Sequence, residues 1–246
     1  MIRIGTSGWV YPHWLDRFYP RSLPPEDQLD FYAREFPTVE INASFYRLPT
    51  REQFAAWAEQ TRGHLGFCCA VKASRYLTHL KKLRDADEGL RRLVEHAEGL
   101  GTQLGPYLYQ LPPHWRANPE RLRAFVGLLP QRYPAAFEFR DPSWFASDVL
   151  RILEDAGCAL VVAVGGEHHT PLDVPPVGPF AYLRFHGGLY GTGFTDGELA
   201  FWADRIAALA DHDVYAYFNN DPEGHAIYDA RRLHALLAAR ALPLAV

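Results

Sequence analysis

Residues 135–164 read AAFEFRDPSWFASDVLRILEDAGCALVVAV, and this stretch contains the pattern that decides the fold. A short run rich in apolar and aromatic residues occupies 135–140, a stretch with helical periodicity occupies 145–156, and a second apolar run occupies 159–164. Two strands joined through a helix pair in parallel, because the crossover returns the chain to the same end of the sheet. The stretch therefore predicts one strand–helix–strand unit.

The same unit recurs along the chain. Strand-like runs occupy 2–6, 38–42, 66–72, 106–110, 135–140, 159–164, 180–186 and 214–219. Helices are predicted over 25–36, 50–61, 85–99, 118–129, 145–156, 196–210 and 222–240. Eight units in 246 residues predict an α/β fold, a single TIM-like (β/α)8 barrel domain spanning 1–246.

One connection departs from the repeat. Residues 165–179, between the sixth and seventh strands, contain four prolines and three glycines. Proline removes a backbone donor and clashes with the preceding helical turn. We therefore expect an irregular segment in place of a helix on this side of the barrel.

Composition excludes several classes of protein. At 48% apolar and 22% charged residues, the chain lies in the range of soluble globular proteins. It has no apolar run long enough for a membrane span, and its first residues lack the layout of a signal peptide. The three cysteines lack a C-x-x-C spacing and are expected to be buried thiols, and the net charge of −4 argues against binding of duplex nucleic acid. We expect a cytoplasmic protein without a membrane partner.

Polar residues fall at the carboxyl ends of the predicted strands. Side chains of a barrel strand alternate between the interior and the helix layer. In the second strand the apolar Val39 and Ile41 face the helices, which turns Glu40 inward. Applied to every strand, this alternation places the following residues at one end of the barrel interior, with the parity of Lys72, Gln110 and Asn219 less strictly fixed: Glu40, Asn42, Lys72, Gln110, Glu138, Arg140, Arg184, His186 and Asn219.

The charges in this set indicate an anionic ligand. Three cations, Lys72, Arg140 and Arg184, accompany two carboxylates. A mouth with a positive balance in a mildly acidic protein favours a phosphate- or carboxylate-bearing small molecule, and the planar guanidinium suits two oxygens of such a group. The alternative is a buried salt-bridge network that fixes strand register.

Aromatic residues lie in the predicted loops at the same end. Trp9, Tyr46 and Trp144 follow the first, second and fifth strands. Rings exposed over a polar cavity stack on sugars or bases. Alternatively, these rings close the top of the barrel by packing against one another.

The leading functional hypothesis is an enzyme (a hydrolase, lyase or isomerase) that uses acid–base chemistry on a small anionic or sugar-like substrate. Glu40 or Glu138 would transfer the proton, with His186 as its complement. Lys72, Arg140 and Arg184 would hold the anion, and Trp9, Asn42, Tyr46, Gln110, Trp144 and Asn219 would complete the substrate site. An arginine beside each glutamate would weaken its case as a general acid, since the cation lowers the carboxyl pKa.

Two other classes of function stay open. A metal-assisted hydrolase would draw its ligands from Glu40, Glu138, His186, His79 and Asp221, although no paired-histidine motif is present and three cations would repel the ion. A non-catalytic module for small molecules or single-stranded nucleic acid would stack bases on Trp9, Trp14, Tyr46 and Trp144, with Arg47 and Arg75 on the phosphates. The residues themselves indicate no cofactor, no metal-site motif and no oligomeric state.

Several motifs together resemble a known family. These are IGTSGW (4–9), VEINASFYRLP (39–49), KASRYLTH (72–79), QLPP (110–113), EFR (138–140), RFHG (184–187) and YFNND (217–221). In this order they resemble domain-of-unknown-function family 72, the YecE-like proteins. The sequence differs at Ala43-Ser44, where the family often has threonine, and at Asp141, where it often has histidine. The resemblance implies a TIM-barrel-like fold and little about activity.

Overall fold

The computed structural model describes residues 1–245, which form a closed barrel of eight parallel strands. Each strand pairs with the next, and the first strand pairs with the last. The strands are β1 (Ile2–Ser7), β2 (Thr38–Ile41), β3 (Cys68–Lys72), β4 (Leu104–Gln110), β5 (Ala135–Glu138), β6 (Ala159–Val164), β7 (Phe180–Phe185) and β8 (Asp213–Phe218). The predicted α/β barrel is confirmed.

Helices surround the barrel. They are α1 (Gln28–Ala33), α2 (Ala43–Tyr46), α3 (Arg51–Gln60), α4 (Asp87–Ala97), α5 (Pro119–Val126), α6 (Ser147–Asp155), α7 (Asp196–Ala207) and α8 (His225–Ala238). Three of the predicted helices begin with a side-chain cap, because Thr50 accepts from the Gln53 amide, Asn118 from the Arg121 amide and Thr195 from the Glu198 amide. Within residues 1–245, no helix combines the length and apolarity needed to cross a lipid bilayer.

Two apolar cores follow from the alternation of the strands. Val39 and Ile41 belong to the large core between barrel and helices. A smaller core fills the barrel interior and includes Ala70, Tyr182 and Tyr217. Glu40 is register-paired with Ala70, so it shares the level and the inward direction of that alanine. The polar end of the interior therefore begins directly above the small core.

The connection between β6 and β7 is irregular, as predicted. No helix is assigned to 165–179, and the segment instead runs back along β6. The Thr170 hydroxyl accepts from the Ala163 amide at 3.0 Å and donates to the Val161 carbonyl at 3.1 Å. One threonine side chain thus satisfies backbone groups on a wall of the barrel that has no helical cover.

Three local features differ from the sequence prediction. The last helix begins at His225 rather than at Pro222, because Glu223 and Gly224 have positive φ values of 63° and 83°. Helix α2 and the π-helical turn Tyr76–Leu80 lie in loops that the pattern left unassigned. Both of these loops follow strands at the carboxyl end, so they shape the mouth of the barrel.

Candidate active site

Three fully buried ionic side chains cross the barrel interior near the carboxyl ends of the strands. Arg184 on β7 contacts Glu40 on β2 through two nitrogens, Nη2 to Oε1 at 2.7 Å and Nε to Oε2 at 3.0 Å. Its remaining terminal nitrogen, Nη1, donates to Glu138 Oε2 on β5 at 2.5 Å. We call Glu40, Arg184 and Glu138 the ion layer. Strands that are distant in the barrel are joined by this one guanidinium.

Neutral donors complete the environment of Glu40. Ser7 Oγ donates to Oε1 at 2.5 Å, and the Tyr182 hydroxyl donates to Oε2 at 2.6 Å. Burial raises the pKa of Tyr182 well above its ordinary value, so the hydroxyl keeps its proton. Burial alone would raise the pKa of Glu40, but the Arg184 charge and these donors lower it below the ordinary value. Glu40 is therefore an ionised, hydrogen-bonded carboxylate.

Glu138 links the ion layer to the side chains above it. Its Oε1 accepts from Arg140 Nε at 2.8 Å and lies 3.5 Å from His186 Nε2. Burial opposes ionisation, yet Arg184, His186 and Arg140 hold the pKa of Glu138 well below its ordinary value. Both carboxylates are thus ionised near neutral pH, and neither holds a proton to donate.

Lys72, Arg140 and His186 lie one interior position further toward the mouth, and we call these three residues the rim. Arg140 uses Nε on Glu138, while its two terminal nitrogens have no hydrogen-bond partner among residues 1–245. Its side chain is 24% exposed, so the free edge of the guanidinium reaches solvent. The rim therefore presents a planar cationic fork at the opening.

His186 presents an unpaired nitrogen to the same opening. Asn219 Nδ2 lies 3.1 Å from His186 Nδ1 and can only donate, so Nδ1 accepts and the proton of the neutral ring sits on Nε2. Nε2 is buried and has no hydrogen-bond partner within the described chain, since Glu138 at 3.5 Å is too distant or misaligned. Burial lowers the pKa of His186 despite the opposing charge of Glu138. The neutral ring is the favoured form.

Lys72 ends β3 on the interior side and is 9% exposed. Its Nζ lies 4.2 Å from the centre of the Phe45 ring, and it forms no ion pair within residues 1–245, because Arg184 and Arg140 occupy the carboxylates. Burial, reinforced by the Arg184 charge, lowers the pKa of Lys72 to about 7. The lysine is thus the one rim cation that loses its charge near neutrality.

Two amides complete the polar interior. Gln110 Oε1 lies 3.4 Å from Arg184 Nη1, at the edge of hydrogen-bond distance. Asn42 Oδ1 is buried and has no partner within residues 1–245. With Asn219 on His186, the structure brings together Asn42, Lys72, Gln110, Arg140, Arg184 and Asn219 around the three residues predicted to be catalytic.

Two of the three aromatic side chains that were predicted to contact a ligand are buried. Tyr46 is 72% exposed, but Trp9 and Trp144 are buried. Trp9 packs edge-on against Trp57 with ring centres 5.1 Å apart, and Trp144 Nε1 donates to the Trp115 carbonyl at 2.5 Å. Trp9 and Trp144 therefore close the barrel by packing and offer no ring face to a ligand, and Tyr46 remains available.

The donors named for a metal are not gathered. Within residues 1–245 no group of three histidine, cysteine, aspartate or glutamate side chains is arranged to hold an ion. Asp221 accepts from Trp14 Nε1 at 2.8 Å, and His79 packs against Phe45 with ring centres 5.1 Å apart. Burial and the nearby Lys72 and Arg140 charges lower the pKa of His79 to about 4.

Sequence reasoning missed Ser7, Tyr182 and Phe45. The alternation that located Glu40 applies equally to β1, where Ile2 and Ile4 face the helices and Ser7 faces inward. Tyr182 stands two residues before Arg184 and shares its direction. Phe45 has no such signal, because its position depends on the short helix α2.

Gly165, which follows β6, shows how His186 is positioned. Its φ is 69°, and a Cβ atom there would stand 1.7 Å from the carbonyl oxygen of Gly187. The His186 amide donates to the Val164 carbonyl at 2.8 Å. Because Gly165 has no side chain, the backbone that follows β6 can contact the backbone at Gly187, directly after His186.

Known bacterial proteins are similar to this chain in sequence. UPF0759 protein YecE of Escherichia coli strain K12 is 33% identical over 149 residues, which is 59% of this chain and 51% of YecE, so the match spans about half of that relative. UPF0759 protein YunF of Bacillus subtilis strain 168 is 25% identical, with 96% of this chain and 95% of YunF covered.

Solved structures share the fold. A DUF72 family protein of Thermotoga maritima superposes with a TM-score of 0.82 at 24% identity, covering 97% of this chain and 99% of the other. A DUF72 family protein of Enterococcus faecalis gives 0.79 at 19% identity, covering 97% and 96%. The family model described as "Protein of unknown function DUF72" matches residues 3–245. This chain is therefore a member of the DUF72 family.

Proposed function

We propose that this barrel is an enzyme that uses acid–base chemistry on a small molecule bearing a phosphate or carboxylate, bound at the carboxyl-end mouth. The observation that carries the proposal is that each side chain of the rim has a polar atom or a charge without a protein partner among residues 1–245. The terminal nitrogens of Arg140 and the Nε2 of His186 have no hydrogen-bond partner within the described chain, and Lys72 has no ion pair there. Among these atoms His186 Nε2 is buried and costly to leave unpaired unless a ligand or water supplies a partner, whereas the Arg140 edge reaches solvent and is free to meet a ligand.

The charge balance favours an anion. Lys72, Arg140 and Arg184 oppose Glu40 and Glu138, which leaves one positive charge when the lysine is protonated. Arg184 is fully engaged by the two carboxylates, so the surplus belongs to the rim. A bidentate contact from Arg140 with a point charge from Lys72 suits a planar carboxylate or a phosphate.

His186 is the proton-transfer group in this proposal. Its neutral ring carries a proton on Nε2, and Glu138, 3.5 Å from that nitrogen, stabilises the imidazolium that forms when Nδ1 accepts a proton. Glu40 and Glu138 then act as ionised partners rather than as acids. The sugar-cleaving variant loses support, since glycoside cleavage needs one carboxyl that keeps its proton.

Titration calorimetry with inorganic phosphate and malonate tests the anion site. Arg140→Gln should weaken binding at least about tenfold, because a charge-assisted bidentate contact is lost. The matched control is Arg151→Gln, an exposed helix position with no ion pair within residues 1–245, and it should bind like the wild type. Equal affinities for Arg140→Gln and the wild type would refute the anion site.

Turnover separates the enzyme from a binding module. A panel of phosphate esters and carboxylic acids should yield a substrate that His186→Asn converts at least about a hundredfold more slowly, as expected for loss of a proton-transfer group. Full turnover by His186→Asn would remove the acid–base assignment. Single-stranded oligonucleotides belong in the same panel, since exposed Tyr46 is available for stacking, and such binding would fall steeply with salt.

A further inference from the structure

Lysine is rare in this chain. Among its 25 lysines and arginines only three are lysines, Lys72, Lys81 and Lys82. Lys81 pairs with Asp85 at 3.3 Å on the outside of the barrel, and Lys82 follows it, both side chains being half-buried. Lys72 alone lies inside. The one lysine in the interior therefore occupies a position where arginine would hold an anion permanently.

The surroundings of Lys72 favour an uncharged amine. The side chain is buried, and Arg184 and Arg140 contribute like charges, which outweigh the cation–π contact of Nζ with the Phe45 ring at 4.2 Å. The carboxylates that would stabilise an ammonium are bound to those arginines. A desolvated amine beside other cations is the environment in which a lysine becomes a nucleophile.

We propose that Lys72 is a covalent nucleophile whose Nζ forms a protonated Schiff base with an aldehyde or ketone substrate. The anionic group that this carbonyl compound carries is taken from the proposed function, on which that part of the inference rests.

The step balances with water as the only product besides the adduct. The Nζ lone pair forms a bond to the carbonyl carbon, and the carbonyl π electrons move to oxygen, which receives the proton released from Nζ. A second proton, taken from solvent, converts the hydroxyl into leaving water, and the nitrogen lone pair forms the C=N bond. The iminium therefore carries one positive charge more than the neutral amine that reacts, and that charge comes from the proton taken from solvent.

Neighbouring groups suit the product. Ile41 is register-paired with Val71, so Asn42 and Lys72 occupy matching positions at the ends of β2 and β3. The buried Asn42 Oδ1 has no partner within residues 1–245 and is an acceptor at the level where an iminium N–H would form. Arg140, at the corresponding position after β5, provides the cation for a phosphate or carboxylate on the same substrate.

Reductive trapping on the wild-type protein tests the inference. Dihydroxyacetone phosphate and pyruvate are the anionic probes, with dihydroxyacetone and acetone as their neutral counterparts, and cyanoborohydride fixes the adduct. Peptide mass mapping then reads Lys72, Lys81 and Lys82 separately. We expect Lys72 to react at least about tenfold faster than the other two, since far more of it is unprotonated near neutrality. Its rate should rise with pH through about 7.

Controls keep the two proposals apart. Lys72→Arg keeps a cation but forms no imine, and should lose the adduct while circular dichroism reports an intact barrel. If Lys72 reacts no faster than Lys81 with any probe while phosphate still binds, the Schiff-base inference is overturned and the anion site stands. If Lys72 reacts preferentially but equally with charged and neutral probes, the nucleophile stands and the anionic substrate class falls.

Discussion

The ion layer and the rim are neighbouring levels of the same barrel interior, yet they differ in how fully their charges are paired. In the ion layer, Arg184 spends all three guanidinium nitrogens on Glu40 and Glu138. In the rim, Lys72 has no ion pair within the described chain and the outer edge of Arg140 is free. A fully paired network needs no further partner and is costly to break, whereas unpaired charges can be paired by a ligand. The salt-bridge interpretation thus describes the ion layer, and the rim is the ligand site that we propose.

Removing the centre of the ion layer should give the largest effect. Arg184→Met leaves buried Glu40 without an ion-pair partner and Glu138 with Arg140 alone, and should reduce the free energy of unfolding by about 3–5 kcal/mol. Urea denaturation followed by circular dichroism measures it. Arg151→Met, at an exposed position of α6, serves as the control. A loss below about 1 kcal/mol would mean that the layer does not hold the strands together.

Acid should weaken the wild type through the same layer. Since the folded-state pKa of Glu40 and of Glu138 lies below the unfolded value, their stabilisation is fully present above about pH 4.3 and is lost as pH falls through the folded values. In Arg184→Met the buried carboxyls should instead prefer the proton, so stability should rise on mild acidification. Unfolding curves measured from pH 3 to 7 give the pH dependence of the free energy of unfolding for both proteins. The same dependence in both would contradict the ionised state assigned to Glu40 and Glu138.

Replacing Lys72 should increase the stability of the protein, in contrast to replacing Arg184. Lys72 has a folded-state pKa of about 7, below that of an exposed lysine, so folding disfavours its charged form. Lys72→Met should raise the free energy of unfolding at pH 6 by about 1 kcal/mol or more. The wild type should approach the variant as pH rises from 7 to 10, because the unfolded chain then binds more protons. A destabilised variant would place Lys72 in the structural network.

The smallest effect on stability is expected at the exposed tyrosine. Tyr46→Ala should change the free energy of unfolding by less than about 0.5 kcal/mol, because the side chain is 72% exposed. Trp144→Ala, at a fully buried ring, is the comparison and should cost about 3–5 kcal/mol. Chemical denaturation of both variants tests whether Trp144 packs in the core while Tyr46 does not. Similar losses of stability in the two variants would contradict this distinction.

Alternation of apolar residues was enough to locate both carboxylates and the two arginines, whereas the parity of Lys72 was less strictly fixed. Val39 and Ile41, or Leu183 and Phe185, must face the helices, and this leaves Glu40 and Arg184 no direction but inward. Which cation reaches which carboxylate was beyond the sequence, because that depends on the tilt and stagger of closed strands. The tryptophans illustrate the same limit. Trp9 and Trp144 sit beside turn residues, but only the folded loops determine that their rings turn into the core.

The absent side chain at Gly165 has a consequence for the sixth strand, which adds no polar group to the mouth. Even one methyl group there would collide with the Gly187 carbonyl and push the backbone that carries His186. The connection after β6, a strand that adds no polar side chain to the mouth, therefore helps to fix the position of the His186 imidazole. Gly165→Ala should therefore displace the His186 ring, and the loss of stability should be the second consequence.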